Sequence, residues 1–74
     1  MGKMIILDSS GYSELEWDPS SPGEVAIARR EFSFLKRKGY FPFGHRKGEP
    51  DTIRQADFDP DLDEITWLKP LRGG

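Results

Sequence analysis

The chain has no cysteine, so disulfides, thiolate metal sites and a cysteine nucleophile are excluded. Its one histidine, His45, excludes any site that needs two imidazoles. No apolar run approaches the roughly 20 residues of a membrane-spanning helix. The apolar run at residues 4–7 is too short for a secretory signal. Met1 and Gly2 open like a myristoylation motif, but Ile6 stands where that motif needs a hydroxyl. Charge of one sign is lacking as well: 11 basic against 13 acidic residues leave −2, which favours no polyanion. There is no internal repeat, low-complexity tract or linker. A cytoplasmic protein with no membrane partner and no enzymatic activity of its own is expected.

Seventy-four residues give room for one domain. A chain of this size buries only roughly 60% of its unfolded surface, so the core must be small and tightly filled. Hydrophobic residues at 35% and charged residues at 32% suit a globular domain rather than a disordered one.

Residues 4–7 form a continuous apolar run and residues 12–17 alternate, with Leu15 and Trp17 on one face against Tyr12, Glu14 and Glu16. Between them Asp8, Ser9, Ser10 and Gly11 are turn formers, so an N-terminal hairpin is predicted. The run apolar on both faces belongs in the middle of a sheet and the alternating one at an edge. Ser21, Pro22 and Glu24 then make a capping box with proline at the first helical position. Lys36, Arg37, Lys38 and Gly39 suit the far end, so a helix over residues 22–38 is predicted. Val25, Ala28, Phe32 and Leu35 fall on one stripe of it, with Ile27 and Phe34 widening the stripe at its edges.

Tyr40, Phe41 and Phe43 read as core filling, and Pro42 argues against a central strand there. Residues 52–58 alternate and suggest another strand, followed by an acidic turn at residues 59–63. Residues 65–69 form a last strand rich in β-branched and aromatic side chains, which Pro70 should stop. The predicted order is ββαβββ, an α+β domain with one helix covering one face of a mixed sheet.

Leu71, Arg72, Gly73 and Gly74 follow that proline, and the last two positions carry no side chain. Such a segment has the backbone freedom to thread a narrow channel. Residues 63–74 resemble the ends of ubiquitin and of the sulfur carriers of molybdopterin and thiamine synthesis. Asp63, Glu64 and Ile65 leading to Pro70 and Leu71 are closer to the sulfur carriers, whereas Leu71, Arg72, Gly73 and Gly74 read like ubiquitin. The resemblance implies a β-grasp fold over residues 1–70 with a flexible tail at 71–74, and the last strand parallel to the first. The chain is similar to that family only in topology elsewhere, and it departs in Pro42 and in a shorter segment between helix and last strand.

By that resemblance Gly74 carries the chemistry. A separate activating enzyme would use ATP to adenylate its carboxylate, which then takes sulfur or is conjugated to an amine. Pro70, Leu71, Arg72 and Gly73 would be what the activating enzyme reads, and a target protein or a sulfur-accepting enzyme would be the second partner. No cofactor is expected on the chain itself. The alternative is a small β-grasp interaction protein, such as a phage encodes, that works through its surface with no tail chemistry; Arg29, Arg30 and Arg37 on the helix are the candidate contacts.

Two further patterns read as ordinary surface. Asp57, Asp59, Asp61 and Asp63 alternate like a calcium loop but lack its sixth-position glycine and distal glutamate, so no metal is expected. The basic residues between Arg29 and Lys47 meet Tyr40, Phe41 and Phe43, as in single-strand binders. Net charge and nearby glutamates argue against nucleic acid as a partner.

Overall fold

The computed structural model describes residues 1–8 and 11–69. The elements are β1 (Gly2–Asp8), β2 (Gly11–Trp17), α1 (Pro22–Arg37), β3 (Phe41–His45), β4 (Ile53–Arg54) and β5 (Glu64–Leu68), the ββαβββ order predicted. The strands form one mixed sheet in the order β2-β1-β5-β3-β4. β1 and β5 are parallel, with Met4 opposite Ile65 and Ile6 opposite Trp67, while all other neighbours are antiparallel. The two most apolar strands are therefore central neighbours and β2 lies at an edge, as their patterns require. This is a small α+β domain of one helix on one sheet face. Among the described residues no helix is long and apolar enough to cross a membrane.

The helix covers the face that carries Met4, Trp17, Ile65 and Trp67, all fully buried. Ala28, Phe32 and Leu35 close the core from above, and Val25 packs at its margin. Phe58 and Leu62 enter the same core from the irregular segment between β4 and β5. Each such side chain contributes about 1.5–3 kcal/mol on burial, so a core this small depends on all of them. The Trp17 ring lies on Gly2, where a Cβ would sit 2.1 Å from it. Its indole N–H donates to the Pro60 carbonyl at 3.0 Å, and Phe58 meets it edge-on at 5.1 Å. Trp67 is met edge-on by Phe32 at 4.9 Å, but its own indole N–H has no partner among the described residues.

Ser21 caps the helix, accepting from the Glu24 N–H at 3.4 Å, with Pro22 behind it. The capping box is not reciprocal, however. The Glu24 carboxylate accepts from the Asp18 N–H at 3.1 Å, because the Ser21 N–H is already donated to the Asp18 carbonyl at 2.9 Å. At the other end the helix stops one residue earlier than predicted. Lys38 is the cap and Gly39, at φ +94°, turns the chain so that the Tyr40 N–H donates to the Leu35 carbonyl at 3.1 Å.

Four readings of the sequence are corrected. Ile27 and Phe34 do not widen the buried stripe; they are 56% and 48% exposed on the solvent side of α1. Pro42 sits in a strand with neighbours on both sides. A residue's N–H and C=O point to the same side of a strand, and the Pro42 carbonyl accepts from the Gln55 N–H at 3.0 Å. Its missing donor thus faces the β4 side, beyond the two residues of that strand, and the ladder to β5 is unbroken. Residues 52–58 give only β4, because the Lys36 ammonium holds the Ala56 carbonyl and Phe58 turns into the core. Phe41 and Phe43 do not fill the core; their register with Leu68 and Thr66 places them on the sheet face away from the helix.

Candidate interaction surfaces

Alternation along the strands gives the sheet a second face that, among the described residues, no element covers. The register sets its side chains in rows across the strands. One row runs Tyr12, Leu7, Leu68, Phe41, an apolar band in which Tyr12, Leu7 and Leu68 are 65%, 40% and 42% exposed. The next runs Glu14, Ile5, Thr66, Phe43, Arg54, and the third Glu16, Lys3, Glu64, His45. The guanidinium of Arg54 lies 4.3 Å above the Phe41 ring and screens the band on the β4 side. Polarity on this face therefore grades from apolar at one end of the strands to charged at the other.

The apolar end is also where β5 runs out at Leu68. The helix terminates at this end too, since Lys38 leads through Gly39 and Tyr40 directly into Phe41. The opposite end gathers Lys3, Glu16, His45, Lys47, Asp63 and Glu64 around a shallow depression. There the His45 ring nitrogen meets the Glu49 carbonyl at 2.8 Å.

The acidic turn is held by its own hydrogen bonds. Asp59 pairs with Arg46 and accepts from the Asp61 N–H at 2.9 Å, and Asp63 accepts from the Lys47 N–H. These carboxylates tie the segment between β4 and β5 to the loop after β3. The basic residues between Arg29 and Lys47 do not form one surface either. His45, Arg46 and Lys47 lie at the charged end of the sheet, and Lys36 is engaged with Ala56.

Of the three arginines singled out on the helix, Arg30 and Arg37 are exposed beside Ile27 and Phe34 on the outer side of α1. Arg29 borders the same surface on the side nearer the core, with its guanidinium 5.4 Å from the Phe58 ring. Lys38 adds an ammonium 4.9 Å from the Phe34 ring. Sequence reasoning missed the Tyr12, Leu7, Leu68, Phe41 band. Its signal was present in Tyr12, an aromatic placed among the glutamates of an alternating strand. Pro70, Leu71, Arg72, Gly73 and Gly74 lie outside the described residues.

No protein family, curated protein or solved structure matches the chain.

Proposed function

We propose that the chain is a β-grasp protein of the ubiquitin and sulfur-carrier kind, and that it is the substrate of a larger activating enzyme. The observation that carries this reading is the sheet order β2-β1-β5-β3-β4 with β5 parallel to β1. Such an order makes the last strand an interior one, so β5 ends in the middle of the sheet. It ends at the apolar end of the open face, beside Leu7, Tyr12 and Phe41. An enzyme gripping that band has residues 70–74 within reach of its own active site. Two small residues at Gly73 and Gly74 then allow the carboxylate to enter a narrow channel.

In the reaction proposed, a Gly74 carboxylate oxygen attacks the α-phosphorus of ATP and pyrophosphate leaves. The resulting acyl-adenylate is open to a sulfur donor or an amine, with AMP as the leaving group. The ATP site and the catalytic groups belong to the partner, and the setting is the cytoplasm. This chain supplies the docking face, the exit strand and the carboxylate.

The reading requires a free Gly74 carboxylate, and the intact mass of the untagged protein from its native cell reads that directly. Exchange of one oxygen for sulfur identifies a carrier, and adducts to lysine through Gly74 identify a modifier. An unmodified mass in the presence of ATP and neighbouring gene products, with function retained after deletion of Gly73 and Gly74, would sink it. The second reading, a binding protein with no tail chemistry, is favoured by the exposure of Ile27 and Phe34 on the opposite layer. It expects loss of function from Arg30→Glu with Arg37→Glu and none from the deletion.

A further inference from the structure

The solvent side of α1 is patterned as closely as its buried side. Ile27 and Phe34 are seven residues apart, as are Arg30 and Arg37. Seven residues make close to two turns at about 3.6 residues per turn, so each pair stacks along the axis about 10 Å apart. The two pairs form adjacent stripes, apolar and cationic, on the side opposite Ala28, Phe32 and Leu35. Lys38 adds a further cation over the Phe34 ring. Glu31 is the one acidic neighbour in the shallow surface formed with them.

We infer that this face docks an acidic amphipathic helix of a partner protein. That helix would carry apolar residues seven apart and carboxylates on the side that meets Arg30, Arg37 and Lys38. The heptad spacing selects a helix, because ridges at this interval fit the grooves of a second helix crossing at a small angle. A convex helical surface offers no strand edge for an extended peptide. Charge complementarity selects an acidic partner: Arg29, Arg30 and Arg37 border this surface with a single carboxylate, Glu31. A second copy docked face to face would set these cations against their own equivalents. Nucleic acid is disfavoured by the aliphatic Ile27 at the centre and by the overall negative charge. Two apolar side chains are too few to hold a lipid surface. The interface is short, below about 1,200 Å² in total, which places it among transient contacts. The inference does not rest on the activation of Gly74, and each stands if the other fails.

A fluorescent helical peptide with leucines at its a and d positions and glutamates at e and g serves as the probe, with a matched lysine peptide as control. Anisotropy is expected to detect the acidic peptide and not the basic one, with affinity falling as salt rises. Arg30→Glu with Arg37→Glu is expected to weaken binding by about tenfold or more, and Ile27→Ser with Phe34→Ser by a similar factor. Lys47→Glu with Arg54→Glu changes net charge equally but lies on other surfaces, and should leave affinity within about twofold. All these side chains are exposed, and circular dichroism verifies that each variant is folded. Equal binding by the stripe and off-stripe variants, no binding by the wild type, or amide shifts on the open sheet face instead of residues 27–38 would overturn it. So would sedimentation of a dimer that Arg30→Glu with Arg37→Glu dissolves.

Discussion

The two faces of the sheet are made from the same strands and both carry large apolar side chains, yet these have opposite fates. Met4, Ile65, Trp17 and Trp67 lie under the helix with no exposure, while Leu7, Leu68 and Tyr12, one residue along or one register position across, face solvent. One helix can cover only one face. The apolar residues of the other face are thus surplus to folding and available for contact with another molecule, as exposed apolar patches generally are.

The largest break in that comparison should come from truncating neighbours across the sheet plane. Ile65→Ala empties space among Met4, Trp67 and the helix and should cost about 3–4 kcal/mol, within the usual range for buried aliphatic truncations. Leu68→Ala, on the open face, should stay within about 0.5 kcal/mol. Urea unfolding with an unchanged slope reads both, and comparable losses at the two sites would erase the distinction drawn here. Next in size is Gly2→Ala. Its Cβ meets the buried Trp17 ring, so about 1–3 kcal/mol is expected. Gly44→Ala meets the Gln55 side chain from Cγ outward, at 2.7 Å, and should cost less because that half-buried chain can swing away, giving up its hydrogen bond to the Ile53 carbonyl.

A finer contrast lies between the tryptophans. Trp17→Phe strands the Pro60 carbonyl, whereas Trp67→Phe removes a donor with no partner among the described residues. The first should therefore cost about 1 kcal/mol more than the second beyond the shared loss of volume. The smallest effect is a pH dependence. Among the described residues the core holds no buried charged group, so acid sensitivity must arise outside it. Asp18 is one source. Hydrogen bonds from the Ser20 hydroxyl and then the Ser20 N–H hold its carboxyl below the ordinary value of 3.8. A depressed folded value means its stabilisation is complete above that ordinary value and is lost as pH falls through the folded one. Asp18→Asn should lower the urea midpoint slightly at neutral pH and remove part of the decline below about pH 4. An unchanged acid limb would assign the sensitivity to other carboxylates.

Much of the covered face was legible in the sequence. Ser21, Pro22 and Gly39 bounded the helix because caps are local chemistry, and residues 4–7 were legible as a run fit for the interior of a sheet, whereas their parallel pairing with β5 was implied only by the resemblance. What escaped was decided at a distance. Ile27 and Phe34 align with the edges of the stripe by period alone. Trp17, Trp67 and Phe58 fill the space beneath the helix so fully that Ala28, Phe32 and Leu35, with Val25 at the margin, complete it. Pro42 looked disruptive because its missing N–H has a direction, and that direction depends on which neighbour β3 faces. Residues 52–58 alternate well enough for a strand, but the engagement of Ala56 and Phe58 with the helix draws them off the sheet edge. Of the candidate contacts, Arg30 and Arg37 were legible as outward charges, whereas the approach of Arg29 to the Phe58 ring required knowing where Phe58 lands.

The pairing of β1 with β5 also governs when the domain can form. Of these five strands the first to be made waits for the last before the sheet has a centre, and the β1–β2 hairpin meanwhile shows a vacant edge on its most apolar strand. Contacts of such long sequence separation delay folding. A chain that stalls during synthesis before residue 64 therefore lacks one of the two interior strands and offers its first strand to any other extended chain nearby.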